Sequence, residues 1–411
     1  MKRNIFFLIC CICSLLLAIQ IQTAFSQKYE DPGITDTEIK IGVFAPLSGP
    51  VVSYGIDPMR FVEMWYEMIN QSGGIQGRKV VLIKEDDKGS GTSLVGAVKK
   101  LVTVDKVFLL HGGTVSGALL AAMDYVQREK VPLVGMTASM DGLLYPPRKY
   151  IFGGLGGTLH AFGGAVVDFC VNHLKAKRLA YVMHDDEYGA WGYEPFAWQL
   201  KEVHKLTPVA VEKISRDITD VTTVLMRIKN ANPDAIVLMT YDRPGALLIR
   251  QAHSLGIKVP IILGATGAVN VQATADAVGT KEALNNFYYQ SALRDQQNGP
   301  DLEWARKLYF KHYPDLVGKP DLPSAIGYMG IASTKVVTLG LELAGPYPTR
   351  EKFISALEGM SYLDTGVMAG ILSFSSDDHA GTEHTTFFKF DGKKIEKVPG
   401  SYESRWKYGA K

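Results

Sequence analysis

The sequence predicts an α/β protein made of two doubly wound parallel-sheet lobes joined by a multi-strand hinge. Three observations carry this. From Glu38 onward, short β-branched runs alternate with amphipathic stretches, the pattern of βαβ units around parallel sheets. A glycine-dense segment at 153–157 splits that alternation into two series, hence two sheets. After position 300 come helical stretches too few and too late to form a domain of their own. Most of them return to the first lobe, so the chain crosses between lobes more than once.

The elements follow in order. The first series reads as strand 39–46, helix 58–70, strand 79–85, helix 92–102, strand 107–111, helix 117–130 and strand 131–136. The second reads as helix 159–174, strand 178–184, helix 192–204, strand 208–214, helix 221–231, strand 235–240, helix 244–255 and strand 259–264. The third part gives helices 300–313, 323–343 and 350–359. Short strands 368–374 and 385–390 follow, beside the turns Asp377–Gly381 and Asp391-Gly392. The expected division is an amino-terminal lobe of 37–153 with 292–366 and a carboxy-terminal lobe of 154–291 with 367–411. Segments 153–157, 291–292 and 366–370 are the hinge, and the cleft lies where the carboxyl ends of the strands face each other.

The chain has 411 residues, 46% hydrophobic and 21% charged, which excludes disordered and fibrous classes. Lys+Arg 44 against Asp+Glu 42, without long single-sign runs, gives no electrostatic reason for a nucleic-acid partner. Lys2 and Arg3 precede an apolar run from Ile5 to Ile21, and Ala24-Phe25-Ser26 has the small-x-small pattern of a cleavage site. Residues 1–26 therefore read as a secretory signal, with the mature chain starting near Gln27 and exported to the periplasm. An uncleaved anchor is the alternative. Cys10, Cys11 and Cys13 lie inside that run, so cleavage leaves Cys170 alone, a buried apolar filler that can form no intramolecular disulfide.

No enzyme motif is present. Ser116 in Gly112-Gly113-Thr114-Val115-Ser116-Gly117 has its upstream glycine one place too far for a nucleophile elbow, and no Walker lysine or H-E-x-x-H occurs. Ser116 with His111 or His160 is the only candidate catalytic set, and no spacing supports a triad. His184-Asp185-Asp186-Glu187 and Asp377-Asp378-His379 look metal-like but read as solvated turns, since adjacent strand-end residues point in alternating directions. The informative segments are 111–117 and Met136-Thr137-Ala138-Ser139. Each ends a strand with glycine or hydroxyl residues near a helix start, where free amides and the helix dipole favour a carboxylate. The same residues serve equally well as plain N-caps.

The run 39–49 with Tyr54-Gly55, then Ile69-Asn70-Gln71-Ser72-Gly73-Gly74-Ile75-Gln76-Gly77-Arg78, then Glu85-Asp86-Asp87, resembles the opening of the periplasmic leucine/isoleucine/valine-binding protein family, the type I solute-binding proteins of ATP-driven importers. The resemblance continues through 185–189, Asn232-Pro233-Asp234-Ala235, Tyr241 and 248–256, and so spans nearly the whole mature chain. It implies a type I periplasmic binding protein fold and a monomeric, cofactor-free, non-enzymatic binding protein that hands a small solute to membrane permease subunits. By position, Ser116 and Ser139 match residues that hold the ligand carboxylate, with backbone around Gly117, Thr137 and Ala138 assisting. Tyr54, Tyr188 and Tyr241 match aromatics that cover the ligand, and Trp191 is a further candidate. Amino-acid binders of the family supply acids for the ligand ammonium where this chain has Thr158 and Thr266. A small organic or aromatic acid is therefore expected over an amino acid, unless Asp185, Asp186 or Asp242 replaces the missing charge. A leucine-type amino-acid binder is the alternative, ahead of a secreted enzyme or a sensor ectodomain.

Overall fold

The computed structural model describes residues 29–49, 51–138, 140–264, 271–319, 322–400 and 402–408, apart from the Glu187 side chain. The first sheet is built from β1 (Glu38–Ala45), β2 (Lys79–Asp86), β3 (Leu109–Gly112), β4 (Leu133–Gly135) and β5 (Ile151–Phe152), in the order β2-β1-β3-β4-β5 and parallel throughout. Between them run α1 (Ile56–Gln71), α2 (Gly91–Thr103), α3 (Ser116–Leu120), α4 (Met123–Arg128) and α5 (Asp141–Leu144). β1 is buried at nearly every position, as a central parallel strand covered on both faces must be.

α6 (Leu159–Asp168) leads into the second sheet and runs on as a π-helical turn, Phe169–His173. That sheet contains β6 (Leu179–His184), β7 (Ala210–Ile214), β8 (Ala235–Met239), β9 (Ile261–Leu263), β10 (Phe287–Ser291), β11 (His384–Phe390) and β12 (Ile395–Lys397), and β13 (Tyr402–Glu403) pairs with β11. The connecting helices are α7 (Glu187–Glu202), α8 (Thr222–Asn230), α9 (Asp242–Ser254) and α10 (Val271–Val278). β6 to β10 are parallel, while β11 lies antiparallel to β10 and β12.

Every residue of α6 is buried. Its two glycines explain how a helix can be enclosed so fully. A Cβ at Gly163 would overlap the Gly192 carbonyl of α7, and one at Gly164 would overlap the Ser404 side chain.

The remaining helices, α11 (Glu303–His312), α12 (Met329–Leu343) and α13 (Arg350–Glu358), follow β10. α12 packs on α1. The Phe61 ring of α1 lies 4.9 Å from Tyr309 and 5.4 Å from Tyr328. Asp57, 4% exposed, accepts hydrogen bonds from the Tyr309 hydroxyl (2.7 Å) and the Ser324 amide (2.8 Å).

The segments between the sheets are laced to one another. Gly153 donates to His379 O (3.0 Å) and accepts from Gly381 N (2.8 Å), while Arg294 donates to Val367 O (2.9 Å) and Ala369 to Ala292 O (2.8 Å).

Four sequence expectations change. The stretch 117–130 is two helices, α3 and α4, interrupted at Ala121-Ala122. The stretch 368–374 does alternate buried and exposed residues but lies along a crossing, where it makes only isolated bridges, Leu293 with Met368 and Leu363 with Leu372. Among the described residues no neighbouring strand is there to form a ladder. The helix expected at 192–204 starts a turn and a half earlier, because Asp186 accepts a hydrogen bond from Gly189 N and caps it. α5, β5, β10, α10, β12 and β13 are additional to the expected elements.

Candidate functional site

The site is assembled from strand ends. β1 is followed by a 3-10 turn, Val52–Tyr54, that leaves Tyr54 45% exposed. β3 is followed by Gly113, whose φ of 88° turns the chain into Ser116 at the start of α3. The β4 end is tied to it: Thr137 and Ala138 donate their amides to Gly113 O (3.3 and 3.2 Å), and Met140 N donates to Ser116 Oγ (3.3 Å). Ser116, Gly117, Thr137 and Ala138 are therefore brought together as expected, with one correction. The Thr137 and Ala138 amides are engaged within the protein and are not available to a carboxylate. The first-turn amides of α3 have no acceptor inside the helix.

The opposite wall comes from the second sheet. Tyr188, in the first turn of α7, and Tyr241, which precedes α9, stack with centroids 4.8 Å apart and planes at 19°. Tyr241 donates its amide to His184 Nε2 (3.1 Å), and that imidazole lies 5.2 Å from the Tyr241 ring. The Arg216 guanidinium sits over Tyr241, 4.9 Å from the ring centre, and pairs with Asp186 at 2.6 Å. Burial raises the Tyr54 hydroxyl pKa, and the Asp242 carboxylate raises it further. Tyr241 is likewise raised, chiefly by burial, with Tyr54 among its contributors.

Thr158 is fully buried and caps α6, accepting from Ala161 N (3.2 Å) and bonding His160 (3.0 Å). Ser139 and Thr266 lie outside the described residues. The two histidines considered as partners for Ser116 are engaged elsewhere. His111 is buried against the Tyr66 hydroxyl (Nδ1 to Oη 3.3 Å), and burial pushes its pKa down to about 3. His160 donates Nδ1–H to Asp141 and Nε2–H to Glu383, both at 2.9 Å. Burial works against its charged form, but the Glu383 and Asp141 carboxylates outweigh it and hold its pKa up at about 10. The residues of the metal-like run also diverge: Asp185 pairs with Lys213 (2.8 Å), Asp186 with Arg216, and His184 with the Tyr241 amide. Among the described residues no three His, Cys, Asp or Glu side chains stand together as a metal site.

Sequence reasoning missed His184 and Arg216 as supports of the tyrosine pair. The only signal for His184 was its place at a strand end, and Arg216 carried none, since it lies in a loop far from both tyrosines in sequence.

Residues 38–394 match the family described as periplasmic binding protein. The chain belongs to that family, in its leucine/isoleucine/valine-binding branch. A Leu/Ile/Val-binding protein homolog 3 from Brucella melitensis is 25% identical over 359 residues, covering 87% of this chain and 93% of that one. The substrate-binding protein LivJ from Streptococcus pneumoniae, solved with isoleucine, superposes with a TM-score of 0.67 at 23% identity, covering 88% of this chain and 99% of its own. A solute-binding protein from R. palustris in complex with benzoate superposes at 0.66 with 17% identity, covering 88% and 95%. The fold is that of type I periplasmic binding proteins, two lobes on either side of a cleft. The protein is thus a member of an extracytoplasmic family of binding proteins. No helix among the described residues is long and apolar enough to cross a membrane.

Proposed function

We propose that the periplasmic binding protein described here captures a small carboxylate-bearing solute, an organic or aromatic acid in preference to an amino acid, and presents it to the permease subunits of its importer. One observation carries the preference: Asp185 and Asp186, acids near the tyrosine wall, are each paired with a cation, Lys213 and Arg216. A ligand ammonium would have to compete at either carboxylate with a cation already in place. The stacked Tyr188 and Tyr241 offer a flat apolar face to a ring, and the start of α3 with Ser116 offers donors to a carboxylate. Asp242, close to Tyr54, favours the second reading, an amino-acid binder in which that carboxylate takes the ammonium.

Calorimetry with matched pairs separates the two. Phenylacetate should bind more tightly than phenylalanine, and 4-methyl-2-oxopentanoate more tightly than leucine. An amino acid winning both contests overturns the acid reading, and loss of that binding in Asp242→Asn would then identify the acid responsible. Ser116→Ala should weaken any acid that binds by about 1–3 kcal/mol, the value of a charge-assisted hydrogen bond.

The lobes in this proposal are 37–153 with 292–366 and 154–291 with 367–411, closing as a monomer about the laced crossings. X-ray scattering at saturating solute should give a smaller radius of gyration than the solute-free protein. The signal read at 1–26 belongs to the same proposal, and amino-terminal sequencing of the exported protein should begin near Gln27.

A further inference from the structure

The last described residues bridge the two lobes. Tyr402 and Glu403 pair with Thr385 and His384 at the start of β11, and Ser404 N donates to Glu383 O (3.1 Å). Arg405 donates its amide to Gln199 Oε1 of α7 (2.8 Å), and its guanidinium pairs with Asp168 of α6 (3.0 Å). Trp406 is 1% exposed, with its ring 5.2 Å from His160. To this point every anchor belongs to the second-sheet lobe or the crossings.

Tyr408 reaches further. Its ring stacks on Tyr145, centroids 5.3 Å apart and planes at 14°. It is also near-parallel to Trp191 of α7, at 6.5 Å and 18°. Tyr145 stands between β4 and β5 of the first sheet, and Trp191 stands on a helix of the second. Tyr145 is itself fixed, 6% exposed, with its hydroxyl donated to Asp378 Oδ1 (3.0 Å). Tyr408 can hold both partners only while the lobes keep this relative arrangement, since any rotation separating Tyr145 from Trp191 must break one of the two stacks.

We propose that the segment 404–408 is a strap between the lobes and that Tyr408 is its catch, biasing the solute-free protein toward the closed arrangement. None of the contacts of Tyr408 named above is to Tyr54, Tyr188 or Tyr241, so the strap acts on how often the cleft is closed. The inference rests on the two-lobe closure proposed above, and its test needs no solute, so it stands or falls independently of which acid or amino acid binds.

The experiment uses the chain from Gln27 onward, without Cys10, Cys11 and Cys13, carrying spin labels on cysteines introduced at Val104 and Val211, exposed positions on opposite lobes, while the native Cys170 is buried. Pulsed-dipolar distances are recorded without solute. Tyr408→Leu should move population from the short to the long distance by on the order of tenfold in the ratio, the worth of an aromatic pair or two. Tyr408→Phe keeps the stacking surface and should match the parent. The unfolding midpoint of each variant, followed in parallel, should stay within a few degrees of the parent, since Tyr408 is 46% exposed. An unchanged distribution in Tyr408→Leu overturns the strap, as does a parent protein that is already open without solute. Equal opening in the Phe and Leu variants overturns stacking as its basis.

Discussion

His160→Leu should lower the unfolding free energy by about 3–5 kcal/mol in denaturant titration at pH 7, because it leaves a buried carboxylate with no cation. Asp141 is 0% exposed and Glu383 is largely covered, and the imidazolium between them hydrogen-bonds both and offsets one of their two charges. The sign of the pH effect follows from the raised His160 pKa. A group whose folded value, here about 10, lies above its unfolded value near 6.5 contributes stability that is complete below pH 6.5 and declines as pH rises toward 10. The parent should therefore lose stability between pH 7 and pH 10 more steeply than His160→Leu. Equal slopes in the two proteins would remove His160 as the source. Asp141→Asn added to His160→Leu should recover part of the loss, since it removes the orphaned charge.

Gly163→Ala should be nearly as damaging, about 3 kcal/mol or more, although it adds a single methyl group. The new Cβ would overlap the Gly192 carbonyl oxygen and crowd the Pro195 ring, so α6 and α7 would have to move apart in a fully buried seam. The control is Gly96→Ala in α2, where an added Cβ meets nothing within 4 Å. That change should raise stability by about 0.5–1 kcal/mol, because an exposed helix interior prefers alanine. Equal effects from the two substitutions would show that helix propensity, and not the α6–α7 contact, governs position 163.

The alternation of strands and helices was readable because the central strands are short, mostly apolar runs and the surface helices between them have an apolar face. β10 was not, because Phe287–Ser291 is Phe-Tyr-Tyr-Gln-Ser, aromatic and polar without clear alternation. Its place is fixed by pairing with β9 on one side and β11 on the other, and β11 lies far along the chain. The stretch 368–374 failed for the opposite reason. Its pattern was right for a strand, but the described residues supply no neighbouring strand for it. At the site, the glycine and hydroxyl run 111–117 and the strand-end tyrosines were legible as local signals. That Thr137 and Ala138 donate to Gly113 was not, since hydrogen bonding between two loops has no signature in either. Least legible was the Asp141, His160 and Glu383 cluster, whose members are separated by 19 and 223 positions and meet only through the crossings.

The packing of α1 dictates an order of assembly. The first sheet has all its strands once Phe152 has been made, and its parallel units can form from local contacts. Yet Asp57 and Phe61, on the face of α1 that becomes buried, wait for Tyr309, Ser324 and Tyr328, some 250 positions downstream. A chain emerging from its amino end therefore carries an uncovered apolar helix face through most of its synthesis or passage across a membrane. That face is sealed only when the chain has travelled through the second lobe and come back. Such a half-finished molecule is the species most exposed to self-association, and the one a holding chaperone would meet.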